Sequence, residues 1–138
     1  MTVGRALYTA RVHTKGFRDG GTSRSDDGCL NIRHALPGFN NHGTNSEQLF
    51  AAGWSACFDA ALGLAALKLN VTLPNDVSID AEVDLCFSGE AYFLRARLNV
   101  NLPGVDRDIA YQLIENAHQT CPYSKAVRGN VEVGLNLL

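Results

Sequence analysis

The longest apolar stretch of the chain, residues 44–69, limits the possible folds more than any other feature. It reads TNSEQLFAAGWSACFDAALGLAALKL and carries Cys57 near its middle. A run this long and this apolar predicts a helix that packs in the core of a globular domain. Because apolar residues surround such a helix on every side, one thin sheet cannot cover it, which favours dimerisation.

The start and the middle of this helix carry further signals. Thr44 to Glu47 fit a capping box, with Thr44 as the N-cap and Glu47 at the third helical position; Asn45 and Ser46 are alternative caps. Gly53 lies inside the helix, where glycine costs about 1 kcal/mol relative to alanine. We therefore expect a bend near Gly53.

The rest of the chain alternates apolar and polar residues or repeats them with helical spacing. These patterns predict strands over 6–15, 29–36, 77–87, 91–102 and 131–138, and a second helix over 106–121. The glycine-rich segment 16–28 is predicted to be a turn-rich connection, which places Arg18 on or near a loop. Hairpin-grouped strands with two separate helices predict a single α+β domain over residues 1–138, with the long helix against a mostly antiparallel sheet.

Charge and composition exclude some function classes. The net charge is −2, and the twelve basic residues are scattered. A nucleic-acid surface needs clustered Lys and Arg, so we expect no nucleic-acid partner. The N-terminal segment lacks the apolar core of a signal peptide, and charged residues such as Glu47, Asp59 and Lys68 make the apolar stretch too polar for a membrane span. We therefore expect a cytoplasmic protein without a membrane partner.

The four cysteines are not expected to form a disulfide framework, because cytosolic thiols are usually kept reduced. Cys29 and Cys86 lie in strand patterns, which favours packing roles. Cys57 alone is typical of a small buried hydrophobe, whereas Cys121 ends the second helix before Pro122, where we expect it to be accessible. Cys57 and Cys121 are thus either structural or a redox-active pair. The histidines lack the spacing of a metal site, so no metal is expected.

Three motifs resemble those of a known family. Residues 44–58, TNSEQLFAAGWSACF, are similar to the peroxidatic-cysteine segment of the organic hydroperoxide resistance (Ohr) proteins of the Ohr/OsmC family. Residues 121–124, CPYS, followed by RGN at 128–130, resemble its resolving-cysteine segment, and LPGVDR at 102–107 resembles a family turn. The resemblance spans essentially the whole chain, and CPYS favours the Ohr branch. Ser46 and Trp54 stand where proline and tyrosine are commoner in the family.

The resemblance implies a thiol peroxidase. Cys57 would be the peroxidatic thiolate and Cys121 the resolving thiol. Arg18 would stabilise the thiolate, and Glu47 would orient Arg18 through a bidentate ion pair. The family further implies an intertwined homodimer with no bound cofactor, recycled by an external dithiol, the lipoyl group carried on another protein (dihydrolipoamide in an assay).

The apolar surroundings of Cys57 favour organic substrates over hydrogen peroxide. The expected substrate pocket suits alkyl, aryl or fatty-acyl hydroperoxides and is formed by Leu49, Phe50, Trp54 and Phe58. Two alternatives stay open: an OsmC-type peroxidase with a broader oxidant range, and a non-enzymatic redox-sensing or ligand-binding dimer on the same fold.

One geometric conflict follows from the spacing of Glu47 and Cys57. These residues are ten positions apart, so a straight helix separates them by about 15 Å and turns them about 80° apart. One Arg18 side chain cannot contact both. Either the helix breaks near Gly53, or Arg18 and Glu47 reach Cys57 across a subunit interface.

Overall fold

A computed structural model of the chain describes residues 4–16, 20–38 and 42–138. The chain divides into two compact units, Met1–Ser46 and Glu47–Leu138. The first unit holds a small sheet. The second holds a sheet and the helices, and it contains both Cys57 and Cys121.

The sheet of the first unit has three antiparallel strands in the order β1-β2-β3. They are β1 (Val12–Lys15), β2 (Thr22–Ser25) and β3 (Asn31–Arg33). Strand β1 is shorter than the predicted strand 6–15, and β2 falls in the segment predicted to be a connection. The four residues of β2 read TSRS, so the strand has no apolar alternation that a sequence pattern could detect.

Among its described residues, the first sheet buries one polar side chain, that of Ser23. Ser23 is only 7% exposed. Its hydroxyl lies 2.7 Å from Thr14 Oγ1 and 2.6 Å from His34 Nε2. Hydrogen bonds across the sheet therefore satisfy the buried hydroxyl of Ser23. Cys29 is exposed in the turn between β2 and β3, so the packing role predicted for it is wrong.

The sheet of the second unit has the strand order β4-β5-β6. The elements of this unit are α1 (Ser46–Lys68), β4 (Ser78–Phe87), β5 (Tyr92–Asn101), α2 (Arg107–Thr120), α3 (Pro122–Val127) and β6 (Glu132–Leu137). β4 and β5 form an antiparallel hairpin, whereas β6 runs parallel to β5. A parallel neighbour requires a crossover, which α2 and α3 provide. The predicted α+β class with mostly antiparallel pairing is confirmed, and α3 is an addition to it.

Helix α1 begins one residue later than an N-cap at Thr44 implies, and Asn45, an alternative cap in the sequence, takes that position. Thr44 forms a parallel bridge with His34, and its N–H donates to Arg33 O at 2.8 Å, so Thr44 is part of a strand pairing. The first helical residue is Ser46, which leaves Asn45 at the N-cap position. The helix runs unbroken through Gly53 to Lys68, so of the two solutions left open for Glu47 and Cys57, a helix break near Gly53 is excluded. The bend expected there stays a prediction.

One face of α1 forms the core of the second unit. The helix buries Trp54, Phe58 and Leu62 completely, together with residues of β5 and α2 such as Leu98 and Leu113. Other apolar residues of the unit stay on the surface: Leu64, Leu67, Leu85, Phe87, Tyr92 and Phe93. The expectation that this helix needs more cover than its own sheet gives agrees with these exposed side chains.

By length and composition alone, α1 is also apolar enough to cross a membrane. Its most apolar 18-residue window has a mean hydropathy of 1.4, and 33% of that window is buried. Despite its charged residues, the stretch is apolar enough to cross a membrane by length and composition, contrary to the sequence-based expectation. A helix that packs one face into the core of a globular domain passes the same test, so the finding is weak evidence for a membrane span.

Charged side chains line the outer face of the β4–β5 hairpin. Arg97 donates to Asp84 from Nη1 at 2.8 Å and from Nη2 at 2.9 Å, and Arg95 Nε lies 3.2 Å from the same carboxylate. These residues are cross-strand neighbours on one face, since Asp84 pairs with Arg95 in the register. The hydrogen bonds from Arg97, and then those from Arg95, hold the pKa of Asp84 well below its ordinary value.

This contact makes stability depend on pH in a defined direction. Because the folded pKa of Asp84 is depressed, its contribution to stability is present above the unfolded pKa and is lost as the pH falls. We expect Asp84→Asn to reduce the fall of the urea midpoint between about pH 5 and pH 2. Arg97→Gln removes the main cause of the shift and should have a similar effect. Wild-type pH dependence in both variants would contradict this assignment.

Candidate active site

Helix α1 brings Cys57 against Cys121, which is 64 positions further along the chain. The two Sγ atoms are 3.2 Å apart in a thiol–thiol hydrogen bond, and both cysteines are free. Cys57 is partly buried on α1, next to the fully buried Phe58. The contact places two thiols within about 1.2 Å of the 2.05 Å S–S bond length of a disulfide.

The position of Cys121 is set by the junction of α2 and α3. It is the C-cap of α2 and the N-cap of α3, with extended backbone at φ −62° and ψ 121°. Its N–H donates to Ala117 O at 2.8 Å, and its carbonyl accepts from Lys125 N at 3.0 Å. Pro122 ends α2 but suits the first turn of α3, since its fixed φ is helical and it needs no N–H partner there.

Cys121 is fully buried, with 0% of its surface exposed. The prediction of an accessible thiol at a fraying helix end is therefore wrong. Pro122 indicated the end of α2, but α3 starts at once and covers the junction. Of the two sulfurs, the one on Cys57 is the more accessible.

The surroundings of Cys57 disfavour its thiolate. Burial is the main cause that raises the pKa of Cys57; a hydrogen bond from the Tyr123 N–H lowers it, and the neighbouring Cys121 raises it further. Two thiolates 3.2 Å apart would repel each other, which is how Cys121 raises the pKa of Cys57. A reactive thiolate at neutral pH therefore needs a cation beside Cys57.

Two further contacts join α3 to α1 beside the thiols. Trp54 Nε1 donates to Ser124 Oγ at 3.1 Å, and both residues are fully buried. Gly53 lies against the ring of Tyr123, because a Cβ at position 53 would come within 2.9 Å of Tyr123 Oη. Phe50 packs edge-on against Trp54, with ring centroids 5.8 Å apart. A six-residue helix is thereby docked on the turn of α1 that precedes Cys57.

Comparison with known proteins identifies the family. A family model described as OsmC-like protein matches residues 38–136. The organic hydroperoxide resistance protein of Xanthomonas axonopodis pv. citri is 40% identical over 96% of this chain and 96% of its own. The crystal structure of OhrB of Bacillus subtilis is similar with a TM-score of 0.86, 39% identity, and coverage of 96% of this chain and 100% of that one. An organic hydroperoxide resistance protein of Legionella pneumophila gives a TM-score of 0.88 at 38% identity, with coverage of 96% and 98%.

The chain belongs to the OsmC/Ohr family. The resemblance inferred from the sequence motifs is confirmed, and so is the family fold. Within this family member, the two cysteines expected to react are the two that lie in contact. Cys86, which matches no expected catalytic position, is partly buried in β4.

The structure does not bring the other two expected catalytic residues, Arg18 and Glu47, into a described contact with Cys57. Arg18 lies outside the described residues. Glu47 is in the first turn of α1, ten residues before Cys57 on an unbroken helix. A rise of about 15 Å therefore separates their Cα atoms. The roles of Arg18 and Glu47 stay predictions.

The four expected pocket residues divide into two groups. Trp54 and Phe58 are 0% exposed and belong to the core of the chain. Leu49 and Phe50 are partly exposed on the first turns of α1. In the isolated chain, only the second group has surface that a ligand can contact. Within the described ranges, no group of three or more His, Cys, Asp and Glu side chains has the arrangement of a metal site.

Sequence reasoning missed the contacts that position α3. Ser124 and Tyr123 were visible as part of the CPYS motif, but no sequence pattern pairs position 124 with position 54. The two residues are 70 positions apart and meet only because α2 and α3 fold back on α1. Gly53 was a detectable signal, since a glycine inside a helix often marks a close approach. Its cause is the Tyr123 ring, not a helix break.

Two glycines of α1 allow a matched test of this close approach. A Cβ at Gly63 meets nothing within 4 Å, so Gly63→Ala should raise the unfolding free energy by about 0.5–1 kcal/mol. Gly53→Ala should give no such gain, because Tyr123 must move away from a Cβ at 2.9 Å. Urea unfolding of both variants measures the difference. An equal gain at the two positions would show that Tyr123 does not pack on Gly53.

Proposed function

We propose that this chain is a thiol-dependent peroxidase that reduces organic hydroperoxides to alcohols. The observation that carries the proposal is the 3.2 Å contact between the sulfurs of Cys57 and Cys121. It is supported by 40% identity to a protein named for organic hydroperoxide resistance. Two free thiols at this distance suit a cycle that alternates between dithiol and disulfide.

The proposed oxidation takes two steps. The Cys57 thiolate attacks the distal oxygen of the hydroperoxide, the O–O bond breaks, and the departing alkoxide takes a proton to become the alcohol. Cys57 is left as a sulfenic acid. Cys121 then attacks the sulfur of that sulfenic acid, and a Cys57–Cys121 disulfide forms with loss of water. Because the disulfide forms before a second peroxide reacts, Cys57 avoids irreversible oxidation.

The disulfide is proposed to be reopened by an external dithiol, the lipoyl group of another protein. One thiolate of the dithiol attacks a protein sulfur, and its second thiol completes the exchange, so that both cysteines are reduced and the lipoyl group becomes a cyclic disulfide. Cys57 is partly buried and Cys121 is fully buried. Attack at the Cys57 sulfur is therefore the open route, with Cys121 as the leaving thiolate. The cycle needs no bound cofactor.

Activation of Cys57 is proposed to come from Arg18, held in place by Glu47. Burial raises the pKa of Cys57, so a guanidinium is the kind of partner that its thiolate needs. Since α1 is unbroken at Gly53, Arg18 and Glu47 would act on Cys57 of a second subunit. The exposed Leu64 and Leu67 of α1 support a homodimer in which such a site is complete.

The proposed substrates are alkyl, aryl and fatty-acyl hydroperoxides in the cytoplasm of the cell. Support comes from the apolar residues of α1 around Cys57, among which Leu49 and Phe50 are partly exposed. An apolar wall attracts the hydrocarbon part of an organic hydroperoxide and offers nothing comparable to hydrogen peroxide. An OsmC-type enzyme would instead accept both oxidants at similar rates.

Cysteine variants test the cycle. In a coupled assay with lipoamide, lipoamide dehydrogenase and cumene hydroperoxide, Cys57→Ser should have no activity because it lacks the nucleophile. Cys121→Ser should complete one turnover and then stop or overoxidise. Cys86→Ser is the matched control and should keep wild-type turnover. Peroxide reduction that survives Cys57→Ser removes the proposed function, and disulfide formation without turnover favours a redox sensor.

Mixed dimers test where Arg18 acts. Arg18→Ala alone should slow the reaction of Cys57 with peroxide at neutral pH, because the thiolate loses its cation. A dimer of one Arg18→Ala subunit and one Cys57→Ser subunit contains one intact site if Arg18 acts across the interface. We expect about half of the wild-type activity in that dimer. If Arg18 acts within its own subunit, one site of the mixed dimer lacks Arg18 and the other lacks Cys57, so activity falls to about half of the Arg18→Ala level.

A further inference from the structure

We propose that Trp54 is a positioning residue that holds the resolving thiol on Cys57 through its hydrogen bond to Ser124. The inference rests on the proposed function in one respect, the use of a Cys57–Cys121 disulfide. In this role the buried Trp54 keeps α3 in the position in which that disulfide can close.

Two neighbouring contacts join the same two segments, α1 and the start of α3. Trp54 precedes Cys57 by three residues on α1, so the two side chains lie on neighbouring positions of one helix face. Ser124 follows Cys121 by three residues at the start of α3. The hydrogen bond joins 54 to 124 at 3.1 Å, and the thiol contact joins 57 to 121 at 3.2 Å. A shift of α3 along α1 therefore breaks both contacts together.

The hydrogen bond is costly to lose. Trp54 and Ser124 are both 0% exposed, so water does not replace the missing partner when they separate. The indole N–H is donor only, and a buried donor without an acceptor is strongly unfavourable. A direct contact of this kind has one preferred distance and direction, which apolar packing alone does not impose.

Helix α3 depends on such contacts because it is short. Six residues form too little helix to be stable alone. On the α2 side, Arg128 Nη2 donates to His118 O at 2.7 Å, which ties the end of α3 to the last turn of α2. On the α1 side, the Trp54–Ser124 bond is a buried polar tie, flanked by Tyr123 against Gly53. The Trp54–Ser124 hydrogen bond is thus the polar one of these two contacts that hold α3 on α1.

The chemical consequence is confined to one step. Disulfide closure requires the two sulfurs to move only about 1 Å closer, and small errors in the position of one reactant slow such intramolecular reactions strongly. Attack of Cys57 on the peroxide does not involve α3 moving. Trp54 should therefore affect disulfide closure and disulfide stability far more than the peroxide step, which depends on α3 only through the Tyr123 N–H that lowers the pKa of Cys57.

The test uses three variants of the full-length protein and one control. Trp54→Phe removes the donor and keeps an aromatic ring, Ser124→Ala removes the acceptor with little change of volume, and the third variant combines both. Val100→Ala on β5 is the control, because Val100 is also 0% exposed and its truncation destabilises the core without removing the Trp54–Ser124 hydrogen bond. Urea midpoints establish that the loss of stability is comparable.

The first measurement is the thiol–disulfide equilibrium in glutathione buffers, read by alkylation and mass spectrometry. Each single variant should form the Cys57–Cys121 disulfide with an equilibrium constant about tenfold lower, the size of one buried hydrogen bond. The double variant should lose far less than the product of the two factors, because both changes remove one interaction. Val100→Ala should stay within about twofold of the wild type.

The second measurement separates the two steps of oxidation. Rapid quenching after one equivalent of cumene hydroperoxide should show that Ser124→Ala slows Cys57 oxidation much less than it slows disulfide closure. Closure to the disulfide should be about tenfold slower, with more sulfenic acid trapped by dimedone. Ser124→Ala also serves where Trp54→Phe is too unstable to study.

Different results would overturn the positioning role of Trp54 and the proposed peroxidase function. Wild-type equilibrium and closure rates in the variants overturn the positioning role, and so does an equal loss in Val100→Ala. Absence of a Cys57–Cys121 disulfide in the wild type in glutathione also overturns it. The glutathione arm contains no peroxide, so it still decides the role of Trp54 if the wild type fails to reduce organic hydroperoxides. In that case only the proposed function is lost.

Discussion

The burial of one face of α1 is the constraint on which the second unit depends. Trp54, Phe58 and Leu62 are removed from water by β5 and α2, and at roughly 1.5–3 kcal/mol for each fully buried large apolar side chain this packing outweighs any single polar contact. The orientation of α1 follows from it, and with it the direction in which Cys57 points. The parallel strand β6 is a further consequence, because its crossover places α2 and α3 over the same helix.

The site is assembled at a join between helices. Cys121 is the single residue between α2 and α3, and both of its backbone groups are hydrogen-bonded by the flanking helices. A reactive group at such a junction has few ways to move while the helices stay in place. The described residues supply contact and enclosure but disfavour the thiolate of Cys57. The contact between the sulfurs therefore depends on α3, whereas activation of Cys57 is proposed to need a cation, Arg18, in addition to the Tyr123 N–H.

The sequence predicted the elements that apolar periodicity marks and missed those that polar residues form. The helix containing Cys57, the β4–β5 hairpin and α2 were found close to their true limits because each repeats apolar residues with a clear period. Strand β2 was missed because TSRS is held by hydrogen bonds from neighbouring strands. Helix α3 was missed because Pro122, correctly taken as the end of one helix, is also a favourable first residue of the next. The two cysteines expected to react came from the motif resemblance, whereas the burial of Cys121 and its contact with Cys57 required the fold.

The unequal exposure of the two sulfurs has a kinetic consequence. Cys121 is enclosed on all sides, so every reagent that changes the oxidation state of the pair must enter through the surface of Cys57. An oxidant and a reductant that use one entrance exclude each other. In the proposed cycle the oxidant would react with the dithiol form and the reductant with the disulfide form. The protein would thus alternate between a dithiol and a disulfide form, and a large excess of either reagent would occupy the entrance that the other one needs.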